Sequence, residues 1–124
     1  MEDLEANLWT RGDAPELPLT TLPALSTKLW GLRRKALTII GARTSQGKSS
    51  LALQIAADLA GQGKLVWLLS LEMDVESLVE RLFCQTCMVD NYDVLSGKFK
   101  KDEDLRNRWR KFKEEQGALK LLIT

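Results

Sequence analysis

Apolar positions along this chain follow two different periods. Residues 36–40 (Ala36, Leu37, Thr38, Ile39, Ile40) and 65–71 (Leu65, Val66, Trp67, Leu68, Leu69, Ser70, Leu71) are nearly unbroken apolar runs. Runs of this length suit strands covered on both faces. Residues 119–123 make a third such run. Between them the period is helical. Residues 48–60 are rich in alanine and leucine and close at Gly61 and Gly63, which predicts a helix with a glycine stop. From Asp74, a good N-cap, a helix is predicted to about Met88, because Val75, Leu78, Val79, Leu82 and Phe83 recur on one side. Residues 91–95 read as a short turn or helix ending at Gly97. Residues 102–116 read as a charged helix stopped by Gly117, with Leu105, Trp109 and Phe112 on one stripe.

The part before the first strand is weaker in pattern. Residues 1–28 form an N-terminal arm, acidic at first and then carrying Pro15 and Pro18. A short helix over residues 22–30, started near Pro23, would pack Leu25, Leu29 and Trp30. Strand, helix and strand from residue 36 to residue 71 predict a βαβ unit with a parallel pair and a right-handed crossover. The expected class is α/β, a mostly parallel sheet flanked by helices, occupying residues 29–124.

Composition narrows the setting. The chain has 124 residues, 44% of them hydrophobic and 28% charged, with a net charge of +1. That is ordinary for a globular domain and marks neither a nucleic-acid nor a membrane binder as a whole. No apolar run approaches the ~20 residues of a membrane span. The acidic start (Glu2, Asp3, Glu5) is unlike a signal peptide, so a cytoplasmic setting with reduced thiols is expected. Cys84 and Cys87 have a redox-like spacing. With no histidine and no other cysteine, they cannot complete a four-ligand zinc site, and their place late in a predicted helix does not favour a low-pKa thiol. We read them as helix packing residues.

The chemistry concentrates where the first strand meets its helix, in Ala42-Arg43-Thr44-Ser45-Gln46-Gly47-Lys48-Ser49. A strand, a tight loop ending in Gly-Lys-Ser and a helix make a phosphate-binding loop. A triphosphate needs many donors in a small concave space. The first N–H groups of the helix have no internal partner and the helix dipole adds positive charge there. Gly47 allows close backbone approach. Lys48 would reach the β- and γ-phosphates, and the Ser49 hydroxyl would ligate Mg²⁺, which prefers hard oxygen ligands. Residues Ala42, Arg43, Thr44, Ser45, Gln46, Gly47, Lys48, Ser49 and Ser50 are therefore the expected ATP contacts. Ala42 stands where the general pattern has glycine, a mild change if φ there is negative.

Glu72 directly follows the second strand. Ligands of open α/β sheets bind beyond the carboxyl ends of the strands, and the phosphate loop leaves from the same edge. Spacing thus puts a carboxylate where the γ-phosphate should lie, able to orient or deprotonate a water. A solvated glutamate at the start of a loop is the plainer alternative.

Ser70-Leu71-Glu72-Met73 after an apolar strand, following an A-R-x-S-x-G-K-S loop, resembles the RecA-like motor domain of DnaB-family replicative helicases. The likeness runs on through Leu78-Val79-Glu80-Arg81-Leu82, Val89-Asp90, Ser96-Gly97-Lys98 and Asp102-Glu103-Asp104. It implies a RecA-like P-loop ATPase core. It also implies ATP and Mg²⁺ held by Lys48 and Ser49, Glu72 as catalytic base, and Lys48 and Glu72 as the catalytic pair. By the same resemblance, the full protein would be a hexameric ring with ATP between subunits, moving along single-stranded DNA. Such proteins also carry a Walker B aspartate, DNA-binding loops and an arginine finger beyond the segment matched here, so the core is expected to be incomplete at its C-terminal end. This chain alone is then expected to have little or no ATPase activity. A recombinase or clock-type ATPase of the same superfamily, and a non-catalytic nucleotide-binding fragment, remain alternatives. A small-molecule kinase fits less well, since such kinases usually lack a glutamate at the end of this strand. The basic residues from Lys98 to Lys113, mixed with Trp109 and Phe112, could bind single strands, but the shared stripe of Leu105, Trp109 and Phe112 reads first as a buried helix face.

Overall fold

The computed structural model describes residues 1–10, 14–118 and 121–124. The chain divides into two compact units, Met1–Ile39 and Ile40–Thr124.

In the first unit, helix α1 spans Glu2–Thr10. Its apolar residues carry no strong period, and the residue pattern alone pointed only to an arm. What favours it is end charge: Glu2, Asp3 and Glu5 lie in the first turn, where the helix dipole stabilises carboxylates. Helix α2 spans Pro23–Leu29 with proline in its first turn, where a missing N–H costs nothing. Packing of α2 differs from expectation. Leu29 and Trp30 are exposed, and it is Leu19 that is buried, held by a bond from its N–H to the Ser26 hydroxyl at 3.0 Å. Leu17 and Leu32 form an isolated antiparallel bridge. Gly31 makes it possible: its φ is +70°, and a Cβ there would lie 2.6 Å from the Leu17 carbonyl oxygen.

The second unit runs in the order α3 (Lys48–Gly61), β1 (Val66–Leu68), α4 (Val75–Cys87), α5 (Asn91–Leu95), a 3₁₀ turn at Lys98–Lys100, α6 (Glu103–Ala118) and β2 (Leu121–Ile123). β1 and β2 pair in parallel, with Val66 opposite Leu121 and Leu68 opposite Ile123. The helices between them supply the crossover that parallel pairing requires. Two further bonds, Thr124 N–H to the Leu68 carbonyl at 3.0 Å and Ser70 N–H to the Thr124 carbonyl at 2.9 Å, carry the ladder on toward Glu72.

The core lies among α3, α4 and α6: Leu53, Leu82, Phe83, Val89, Leu105 and Phe112 are buried together. Three rings lock α4 to α6. Phe83 meets Trp109 and Phe112 edge-on at 5.1 and 5.4 Å between centroids, and Trp109 stacks on Phe112 at 5.5 Å. The stripe of Leu105, Trp109 and Phe112 is therefore an inward face, and the charged residues of α6 lie around it.

Three expectations are corrected. Residues 36–40 form no ladder, and Leu37 and Ile39 are 86% and 82% exposed. A strand exists only through a neighbour's hydrogen bonds, and among the described residues β1 and β2 pair with each other alone. The parallel pair is therefore β1 with β2, not residues 36–40 with β1. β1 is also covered on one face only: Trp67 and Leu122 are 68% and 56% exposed while their neighbours along each strand are half-buried. Finally, α6 continues through Gly117 to Ala118, since a glycine inside a helix costs only about 1 kcal/mol. Leu119 and Lys120 of the expected third strand lie outside the described residues.

Candidate functional site

The loop before α3 folds as a turn whose shape rests on two left-handed residues, Ser45 (φ 60°) and Gly47 (φ 83°). Gly47 is the N-cap of α3, and no side chain caps that end. Nothing lies within 4 Å of a Cβ built on Gly47. Backbone conformation, not crowding, is what demands glycine at this position. Ala42 does not take positive φ, so alanine stands there without strain. The first bond into α3 is Leu51 N–H to the Gly47 carbonyl at 2.9 Å. The N–H groups ahead of it are left for a ligand or water, with the positive end of the helix dipole behind them.

The loop after β1 is shaped by one side chain. The Ser70 hydroxyl donates to the Met73 carbonyl at 2.7 Å and accepts from the Met73 N–H at 3.1 Å. This closes a tight turn with Glu72 at its tip. Asp74 then caps α4, accepting from the Ser77 N–H at 2.8 Å. The Ser77 side chain and N–H, both bonded to that carboxylate, hold Asp74 below the usual carboxylate range.

These two loops enclose one cleft of about 320 Å³. Its lining includes Ala42, Arg43, Thr44, Ser45, Gln46, Gly47, Lys48 and Ser49, together with Glu72. Eight of the nine expected ATP contacts and the expected base thus share one cavity. The exception is Ser50. Its carbonyl accepts from the Gln85 side-chain amide of α4 at 3.2 Å, and it does not line the cleft. Two lining residues went unassigned in the sequence: Met73, and Arg81 from α4. The signal for Arg81 was its spacing. Ser77, Arg81 and Gln85 recur at i, i+4 and i+8, one stripe of a helix that starts from the Glu72 loop.

The lining is polar and cationic, with Arg43, Lys48 and Arg81 against Glu72. Such a set suits an anion carrying a divalent cation. Lys48 and the loop N–H groups can take phosphate oxygens, and the half-buried Ser49 hydroxyl with Glu72 offers oxygen donors on the metal side. Among the described residues no group of three or more His, Cys, Asp or Glu side chains could hold a metal unaided. Mg²⁺ characteristically binds through one or two protein oxygens together with substrate phosphates, which needs no such group.

Cys84 and Cys87 are free and half-buried. Burial pushes both thiols above the usual thiol range, helped at Cys84 by the Glu80 and Asp90 carboxylates and at Cys87 by Glu115. Both pack against the core, and a raised pKa favours the neutral thiol, the less nucleophilic form.

Comparison with known proteins places this chain in a family. The profile of the DnaB-like helicase C-terminal domain matches residues 19–124. The chain belongs to that family. The replicative DNA helicase DnaC of Bacillus subtilis is 31% identical over 110 residues, covering 88% of this chain and 23% of its own length. The replicative DNA helicase DnaB of Geobacillus stearothermophilus is 32% identical over 90 residues, covering 72% of this chain and 19% of its own. The DnaB of a Synechocystis strain is 38% identical over 74 residues, covering 59% of this chain and 8% of its own. The chain thus spans less than a quarter of the length of these curated relatives. The DnaB-like domain is RecA-like in fold, and the helices and small parallel sheet seen here are part of such an α/β core. No helix among the described residues is long and apolar enough to cross a membrane.

Proposed function

We propose that this chain is the ATP-binding portion of a replicative DNA helicase motor, with residues 29–124 as the partial ATPase domain and residues 1–28 as its arm. In this reading the cleft takes ATP with Mg²⁺. Lys48 and the N–H groups of the loop hold the phosphates, Ser49 holds the metal, and Glu72 orients the attacking water. In the whole protein the motor would be a hexameric ring in the cytoplasm, coupling hydrolysis to travel along single-stranded DNA.

The observation that carries the proposal is the meeting of Glu72 with the phosphate loop in one cleft, in a chain whose relatives are named replicative helicases. Glu72 is also the one carboxylate in that lining. Phosphoryl transfer of this kind calls for a further carboxylate to hold the metal besides the base, and the lining offers Glu72 alone, so the chain by itself is expected to bind without appreciable turnover. Isothermal titration of ATP–Mg²⁺ into the purified chain tests this. Binding abolished by Lys48→Ala supports the reading. No binding by the wild type at millimolar ATP would make the chain a non-catalytic relic, and robust turnover abolished by Glu72→Gln would overturn the expectation of inactivity.

A further inference from the structure

Helix α4 sends one side chain into the cleft, Arg81. It is exposed, and among the described residues no carboxylate lies within ion-pair reach of it. On the same helix Leu78, Leu82 and Phe83 are buried in the core, which fixes the rotation of α4. Its register against α3 is fixed by Gln85, one turn beyond Arg81, whose amide donates to the Ser50 carbonyl in the first turn of α3. The stripe of Ser77, Arg81 and Gln85 therefore runs alongside the phosphate loop, and Arg81 is held at the mouth of the cleft by contacts it does not itself make.

We infer that Arg81 is a nucleotide-contacting residue whose guanidinium binds the phosphate chain. The inference rests on the ATP-binding reading above and extends it to a residue outside both loops. The phosphates are the favoured target because of what else lines the cleft. Among the described residues that line it, no aromatic ring is present to stack on a base, and those that share the lining with Arg81 are the loop before α3, Glu72 and Met73. A guanidinium matches phosphate oxygens with two parallel N–H donors. It also offsets the negative charge of Glu72 when an anion arrives beside it.

The test uses the 124-residue chain with two probes, ATP–Mg²⁺ and inorganic tripolyphosphate, titrated against wild type, Arg81→Ala, Arg81→Lys and a control, Arg110→Ala, on the exposed side of α6. Losing one charge-assisted contact is expected to weaken both probes by about 10-fold or more in Arg81→Ala. Lysine should recover part of the loss, and Arg110→Ala should bind as wild type. Circular dichroism checks that each variant keeps its helices, and Arg81→Gln replaces an alanine variant that does not. Unchanged binding in Arg81→Ala overturns the inference. So does a loss for ATP with none for tripolyphosphate, which would put the arginine on the nucleoside, and so does an equal loss in Arg110→Ala, which would reduce the effect to net charge. A wild type that binds neither probe overturns the nucleotide reading itself, an outcome distinct from the failure of Arg81 alone.

Discussion

Gly47 and Ser70 each control a loop of the cleft, and each does so through the backbone. Gly47 sits at φ 83° with open space around it, so Gly47→Ala meets a torsional penalty and no clash. A left-handed alanine costs about 1–2 kcal/mol. Gly47→Ala should lower the urea midpoint by an amount corresponding to that loss, and weaken ATP–Mg²⁺ further as the loop relaxes out of shape. Ser70 works by two hydrogen bonds to Met73. Ser70→Ala leaves Glu72 chemically intact but unpins its loop. The expected cost is about 1 kcal/mol of stability, with faster amide exchange confined to residues 71–73. Unchanged exchange there would show that the turn holds without the hydroxyl. Both roles were half legible beforehand. The glycine and the Ser-Leu-Glu-Met run could be read from the chain, but that the serine binds Met73 follows only from the turn it closes.

At the scale of elements, α4 is the best-specified piece of the chain. Asp74 as its cap and Leu78, Leu82 and Phe83 as its buried side are properties of residues near one another in sequence, so a linear reading finds them. Asp74 also gives α4 a pH signature. Its folded pKa lies below the unfolded value, so the stabilisation it contributes is present above the ordinary carboxylate range and is lost as pH falls through the depressed folded value. Asp74→Ala should therefore lower the melting temperature at neutral pH, with the gap to wild type closing in acid. Asp74→Asn should keep most of the cap and lose the pH dependence. The α4–α6 contact makes a larger prediction. Phe83 and Phe112 are each 1% exposed and touch edge-on, and truncating either to alanine costs about 3–5 kcal/mol. That is a large part of the stability of a small domain, so Phe83→Ala should lose cooperative melting by near-ultraviolet circular dichroism. The aromatic cluster was foreseen only as a stripe on α6. Which ring it would meet on α4 depends on how two helices cross, and no local pattern encodes that.

At the scale of the whole molecule, the sheet is the exposed part. Its open face carries Leu65, Trp67, Leu69 and Leu122, between 56% and 72% exposed. Among the described residues both strands are edges, and a bare apolar sheet invites association with other chains. The chain is expected to self-associate at micromolar concentration by sedimentation velocity. Leu69→Lys with Leu122→Lys should shift it toward monomer without affecting ATP–Mg²⁺ binding, because neither residue lines the cleft. A monodisperse wild type with a high melting temperature would contradict this.

What the sequence by itself determined is what neighbours in the chain can settle: a Gly-Lys-Ser turn leading into α3, the glycine at that turn, the cap and buried side of α4, and a carboxylate one residue past an apolar run. Their geometry arises over a few consecutive bonds. The tertiary structure decided the rest. It joined β1 to β2 across more than fifty residues, left residues 36–40 without a ladder, and brought Arg81 to the cleft beside the loop before α3, in a register that Gln85 fixes by its hydrogen bond to α3. Strand pairing and helix register are set by contacts between distant segments. An apolar run can therefore show that a residue prefers burial or a strand, but not which partner will supply it.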